Sequence, residues 1–338
     1  MIADALRKLK SNLLYVVLIS LVTGLLFGQV VGTDTKGLLQ AAVVPILFLM
    51  IYPMMINIDL QEVINVRKHA KAVGLTLFVN FGLSPLLAVG LAQVFFGGDA
   101  EYAIGLYFIA LIPTSGMTAA WTGLAGGDLE TALVAMAVNL LAAVAILPAY
   151  LSVLMPASVG FDPTALYQQL AQVVIVPMIA GNLTRRGLLR RYGPDGFKRL
   201  KPTFGGLSSL GVMLIVFVAM ALRSTQILAD PFASALTVVP LVGFYVGILL
   251  AGSVLGRVLL DTERAIALVY ATSMRNLSIA LAIVVAADTV PAAAVLPIAL
   301  AYVIQPPLGA VYVHYRRDIV AEGLSIREAV SRIVSNRG

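Results

Sequence analysis

YATSMRNLSIALAIVVAA, residues 270 to 287, is almost wholly apolar, yet Arg275 and Asn276 stand side by side near its middle. The apolar run extends from about Ala265 to Ala287, long enough to read as a membrane-crossing helix. A guanidinium at the centre of such a helix costs at least ~2.5–3.5 kcal/mol on insertion scales. Arg275 lies about ten residues from either end of the run, so roughly 15 Å of helix separates it from each surface. Snorkelling over that distance is difficult, so the side chain is predicted to face a bundle interior or water. There it needs an acidic partner, carbonyl groups or a bound anion.

The rest of the chain has the same character. Of 338 residues 60% are hydrophobic and only 12% are charged, against about 25% charged in a soluble globular domain; mean hydropathy is +0.96. Runs of this kind recur along the whole sequence, which makes it an integral membrane protein with the lipid bilayer as its solvent. The net charge of +6 therefore reads as loop charge rather than as a nucleic-acid surface. There is no Cys, which excludes disulfides, thiolate metal sites and a Cys nucleophile. His69 and His314 fall at span ends and read as interfacial residues; neither belongs to a cluster of metal-ligand type. The basic start Arg7-Lys8-Leu9-Lys10 imitates a signal peptide. The run behind it is longer than a signal core and no small-residue cleavage site follows, so it reads as a retained first span.

Apolar runs between polar breaks predict ten helices, at about 13–32, 38–56, 72–95, 103–126, 130–154, 164–183, 204–222, 233–259, 265–287 and 290–314. With the N-terminus inside, 20 Lys and Arg fall in cytoplasmic segments and only Lys36 and Arg223 fall outside. A wrong span number would scramble that asymmetry, so both termini are expected in the cytoplasm, at the cytoplasmic membrane. Ten spans divide into two five-helix halves, 1–155 and 156–315, joined at MPASVGFDP (155–163), with a cytoplasmic tail over 316–338. Five spans per half would give the second half the opposite orientation, the inverted repeat common among secondary transporters. Met1 to Lys10 is expected to lie on the inner surface as a short amphipathic helix, and Ser325 with Glu328 fits a capping box in the tail.

The fourth predicted span, IALIPTSGMTAAWTGLAGGD, is the counterpart of the ninth. Pro113 removes a backbone donor and Gly116 loosens the helix, while Thr114, Ser115, Thr118 and Thr122 supply hydroxyls. Free amides and carbonyls at such a break are tolerable only where they line a cavity, and new helix N-termini there attract anions. The plainer reading is hydroxyls bonded back to their own helix. No Asp or Glu falls in the middle of any predicted span, so Arg275 becomes a candidate anion-binding residue. Its plainer alternative is an Arg satisfied by the carbonyls of a broken neighbour. Asn139 in span five, Asn80 and Ser84 in span three, Ser208 and Ser209 in span seven and Gln305 in span ten are further polar groups at mid-depth. Each serves either as a ligand or as glue between helices.

These residues resemble the bile acid:sodium symporter superfamily, and several stretches look closer to its arsenite-efflux branch. LMIYPMMINIDLQEV in span two, LFVNFGLSPLL in span three, WTGLAGGDLETALVAMAVNLL across spans four and five, and SMRNLSIALAI in span nine carry the likeness. Asn139 and Asn276 match family asparagines. The resemblance implies an all-α membrane fold of two inverted five-helix repeats. Their discontinuous fourth and ninth spans cross at mid-membrane beside the substrate and ion sites, and a core domain moves against a panel domain. It also marks departures. Thr114 stands where the arsenite branch has a Cys, and Ser278 where it has a Glu. Ala119, Ala271 and Arg275 stand where the bile-acid branch has the Asn, Glu and Gln that ligate sodium.

The expectation is thus a secondary transporter that moves a small anionic solute by alternating access. The solute would be held by Arg275, Asn276, Asn139, Thr114, Ser115, Thr118 and Ser278, with Pro113 and Gly116 breaking the helix. The charge of Arg275 would replace that of sodium. No cofactor or metal is expected, and the coupling ion is a proton or sodium. Within the class the alternatives are arsenite or antimonite efflux and sodium-coupled organic-anion symport. A channel lines its pore with rings from several subunits, and a hydrolase needs a base and nucleophile in reach; the intramembrane inventory supplies neither.

Overall fold

The computed structural model describes residues 13–97, 100–154, 163–229, 235–286, 290 and 294–316. Helix α1 (Leu13–Val30) and α2 (Thr33–Asn57) are followed by a ten-residue 3-10 strap (Leu60–His69). Then come α3 (Ala70–Phe78), a π-turn (Val79–Leu83), α4 (Ser84–Phe96), α5 (Ala100–Leu111), α6 (Met117–Leu124) and α7 (Leu129–Leu154). Next are α8 (Pro163–Leu170), a second π-turn (Ala171–Ile175), α9 (Val176–Ala229), α10 (Val238–Leu259), α11 (Thr262–Ser273), α12 (Leu277–Ala286) and α13 (Val295–His314). The described residues are almost entirely helical, and among them no strand forms. Six stretches are single helical runs long and apolar enough to cross a membrane: Thr33–Asn57, Leu60–Phe96, Leu129–Leu154, Val176–Thr225, Val238–Leu259 and Val295–His314. The expected N-terminal surface helix, the junction through Asp162 and the Ser325–Glu328 capping box lie outside the described residues.

Local chemistry sets the boundaries. Asp59, Asp128 and Asp261 open the strap, α7 and α11, each accepting main-chain N–H bonds two or three residues on. In the first π-turn Pro85 cannot donate to the Phe81 carbonyl, and the Tyr150 hydroxyl bonds that carbonyl instead. The connection expected between the sixth and seventh spans is itself helical. Only Gly193, at φ 69 and ψ 176, breaks α9, and Pro194 follows it.

The helices pack as two groups. Helices α1, α2 and α9 form one. A Cβ on Gly211 of α9 would lie 2.6 Å from the Met50 Cα of α2, and one on Gly24 of α1 would lie 2.5 Å from the Phe217 carbonyl of α9. Small residues let these backbones meet, the packing device of helices in lipid, and Ser208 adds a hydrogen bond to the Met50 carbonyl at 2.7 Å. Helices α3 to α7 and α10 to α13 form the other group, around a core that includes Phe108, Ile109, Phe244, Ile283 and Ile298. Outward faces carry exposed apolar side chains such as Ile19, Leu26, Val44, Leu250 and Val254, as a lipid-facing surface requires.

Candidate functional site

Two helix interruptions meet inside the second group. Helix α5 ends at Leu111 and α6 begins at Met117; α11 ends at Ser273 and α12 begins at Leu277. The residues between run antiparallel, with Thr114 opposite Arg275. The Ser115 N–H donates to the Met274 carbonyl at 2.7 Å, and the Asn276 N–H donates to the Pro113 carbonyl at 2.8 Å. Each break thus satisfies main-chain groups that the other leaves without an intrahelical partner. The Asn276 side chain accepts from the Ile279 N–H at 3.3 Å, an N-cap for α12. The Thr114 hydroxyl shares a 2.6 Å hydrogen bond with Thr118 and donates to the Met274 carbonyl at 3.2 Å; Thr118 reaches the Tyr270 carbonyl at 3.4 Å.

Arg275 is 1% exposed and is the largest fully buried side chain described. Its guanidinium donates to the Ser84 hydroxyl at 2.7 Å and to the Ile112 carbonyl at 3.4 Å, and lies 5.8 Å from the Phe244 ring centre. The Ile112 carbonyl stands just past the C-terminal end of α5, where the peptide dipoles concentrate negative charge. Arg275 Nε has no hydrogen-bond partner. Its main chain is held by one side chain: the N–H donates to Gln305 Oε1 at 2.8 Å, and Gln305 Nε2 donates to the carbonyl at 3.2 Å. The Tyr245 hydroxyl also donates to Gln305 Oε1, at 3.0 Å. Among the described residues no carboxylate forms an ion pair with Arg275.

A cavity of about 730 Å³ opens beside this crossing, between the two helix groups. Ser115, Gly116, Arg275, Asn276 and Ser278 line it from the crossing. Ser278 is hydrogen-bonded to Tyr302, another wall residue, at 3.0 Å. Thr114, Thr118, Pro113 and Asn139 stand behind the wall. Asn139 is fully buried; its carbonyl oxygen accepts from Asn80 at 2.8 Å and its amide donates to the Ala135 carbonyl at 2.7 Å. Asn80 also donates to the Ala271 carbonyl at 3.1 Å, so this pair ties α7 and the first π-turn to α11.

Several wall residues were not singled out from the sequence. Trp121 and Tyr302 are two, and Lys198 and Lys201 were counted only as loop charges. The signal for the lysines is a stripe at helical spacing, Lys198, Lys201, Gly205, Ser208, Ser209 and Val212, all on the cavity wall. Among the described residues, the wall therefore carries three cationic residues and no carboxylate.

The model for the sodium bile acid symporter family matches residues 44–230. The chain belongs to that family. This member is also 26% identical over 210 residues to an arsenical-resistance protein Acr3 of Alkaliphilus metalliredigens, covering 58% of each chain. It is 24% identical over 213 residues to an Acr3 of Corynebacterium glutamicum, covering 60% of this chain and 57% of that one. An uncharacterized transporter of Synechocystis sp. matches at 25% over 252 residues, covering 67% and 65%. Each match spans less than two thirds of the relative's length. With its apolar helices, this symporter-family chain is a multi-pass membrane protein.

Proposed function

We propose that the chain is a secondary transporter that carries a small anionic solute across the cytoplasmic membrane by alternating access. On this reading ten spans form two inverted halves, and the interrupted fourth and ninth spans, α5–α6 and α11–α12, cross near mid-membrane. The observation that carries the anion preference is the cavity wall, where Lys198, Lys201 and Arg275 occur without a carboxylate among the described residues. Arg275 acts on the solute mainly through its field, because its guanidinium already donates to Ser84 and Ile112. Asn276, Ser115 and Ser278 offer hydrogen bonds at the wall. Asn139, Thr114 and Thr118 hold the crossing in shape behind it. Lys198 and Lys201 belong to the segment assigned to the cytoplasm, so the cavity opens inward in this conformation. Rearrangement of the α1–α2–α9 group against the other group would open it outward.

Arsenite efflux is the second reading, favoured by the two Acr3 relatives. Against it, the chain has no Cys to give trivalent arsenic the soft thiolate it prefers, and the Thr114 hydroxyl is buried behind the wall and already bonded to Thr118 and the Met274 carbonyl. Reconstituted vesicles separate the readings. The anion reading expects accumulation of small organic anions under an imposed proton gradient, without a strict need for sodium, and its loss in Arg275→Gln protein that still folds. Strict sodium dependence, or arsenite flux without anion flux, would overturn it.

A further inference from the structure

The strap joins the two helix groups, and polar side chains fasten both of its ends. At its start Asp59 pairs with Arg185 of α9, and the preceding Asn57 donates to the Lys201 carbonyl at 3.5 Å on the cavity wall. At its end stands His69, expected at an aqueous interface but in fact only 5% exposed. Its Nδ1 lies 2.6 Å from the Thr131 hydroxyl, and that hydroxyl donates to Asp128 Oδ2 at 2.6 Å. A threonine hydroxyl has one hydrogen. Because Asp128 takes it, the imidazole must donate from Nδ1, and a neutral ring keeps a bare lone pair on Nε2. That nitrogen is buried without a hydrogen-bond partner, and it faces Glu130 Oε1 at 3.4 Å.

We propose that His69 Nε2 is a proton-binding site, and that loading it latches the strap to the start of α7. A proton there turns a lone pair opposed to a carboxylate into a donor aimed at one. Charged groups stand around the ring. Glu130 and Asp128 face the ring at 3.4 and 3.8 Å. From α11, Arg264 meets the cluster at Asp128 (3.9 Å) and Asp261 (3.6 Å), and the Glu263 carbonyl accepts from the Asp128 N–H. On the strap and α3, Arg67, Lys68 and Lys71 flank the histidine in sequence. Burial raises the Asp128 carboxyl, but bonds from the Thr131 hydroxyl and the Thr131 and Glu130 N–H groups, with His69 opposite, hold it below its ordinary value. It therefore remains an anion wherever an imidazole titrates.

The latch is independent of the transport reading, so its test uses no solute. The chain has no Cys, and Val66 of the strap packs half-buried against a cluster that includes Val73 and Val134. A single Val66→Cys reporter is labelled with a water-soluble maleimide at about pH 6 and about pH 8, which bracket imidazole titration. Each rate is divided by that of the urea-unfolded protein at the same pH. The normalised rate should be about three- to fivefold slower at the lower pH, the scale of a half-exposed ion pair. That difference should vanish with His69→Gln. It should also shrink with Glu130→Gln, which alters only a half-exposed partner and leaves the buried Thr131 bond in place. A pH-independent rate in the parent, or a difference that survives both substitutions, would overturn the proposal.

Discussion

The main-chain N–H of Asn276 donates to the carbonyl of Pro113 at 2.8 Å. Two interruptions more than 160 positions apart are thereby made into one element. Pro113 forces the first break by lacking an N–H; the second helix breaks where its freed groups can serve the first. The charge of Arg275 is placed by this exchange, because the residue opposite Thr114 must turn its side chain toward the end of α5.

Gln305 is the support of that arrangement. Gln305→Leu would strip the Arg275 N–H and the Tyr245 hydroxyl of their partner, while the Arg275 carbonyl keeps the Leu277 N–H at 3.0 Å. Each stranded buried group costs about 1–3 kcal/mol. A clear fall in the thermal midpoint of the detergent-solubilised protein is expected, larger than for Ser278→Ala, whose hydroxyl bonds one neighbour at the cavity wall.

Trp121 is the single tryptophan of the chain and lines the cavity. Its indole lies nearly parallel to the Tyr270 ring at 6.2 Å. A solute that fills the cavity should therefore shift or quench the intrinsic emission saturably. Titration with candidate anions reads this directly, and Trp121→Phe should abolish the signal.

Two glycines should behave oppositely. In Gly211→Ala the new methyl would meet the Met50 backbone at 2.6 Å, and overpacking there should cost about 1–3 kcal/mol in thermal unfolding. In Gly116→Ala the methyl meets nothing within 4 Å and φ is −61°, so stability should hold. The cavity wall gains a methyl, however, and vesicle flux should show any change.

Acid should loosen the start of α7. The Asp128 carboxyl is held below its ordinary 3.8, so its contribution is fully present above that value and is lost as pH falls through the depressed one. Asp128→Asn keeps a cap for α7 but removes the charge. Its unfolding midpoint should fall less steeply with acid below about pH 4 than that of the parent, as thermal scans across pH would show.

Much of this was legible along the chain. Pro113, Gly116, Arg275 and Asn276 mark both interruptions, because a missing donor and a buried charge are local violations of helix chemistry in lipid. The direction of the Arg275 side chain was not legible. Nothing in a run of sequence says that its guanidinium turns to Ser84 and Ile112, or that Asn139 bonds Asn80 behind the wall. Lys198 and Lys201 looked like loop charge because they fall between two predicted spans; a helix carries them onto the cavity. His69 looked interfacial because its position near a span end says nothing of Thr131.

The sequence by itself determined that the chain is a bundle of apolar helices with two polar interruptions, since hydropathy and proline chemistry act over a few neighbouring residues. Only the tertiary structure decided which carbonyl each freed amide finds, which cations share a cavity and which nitrogen of His69 stays bare. Those outcomes depend on backbones brought together from distant parts of the chain, where a hydrogen bond forms or fails within a few tenths of an ångström.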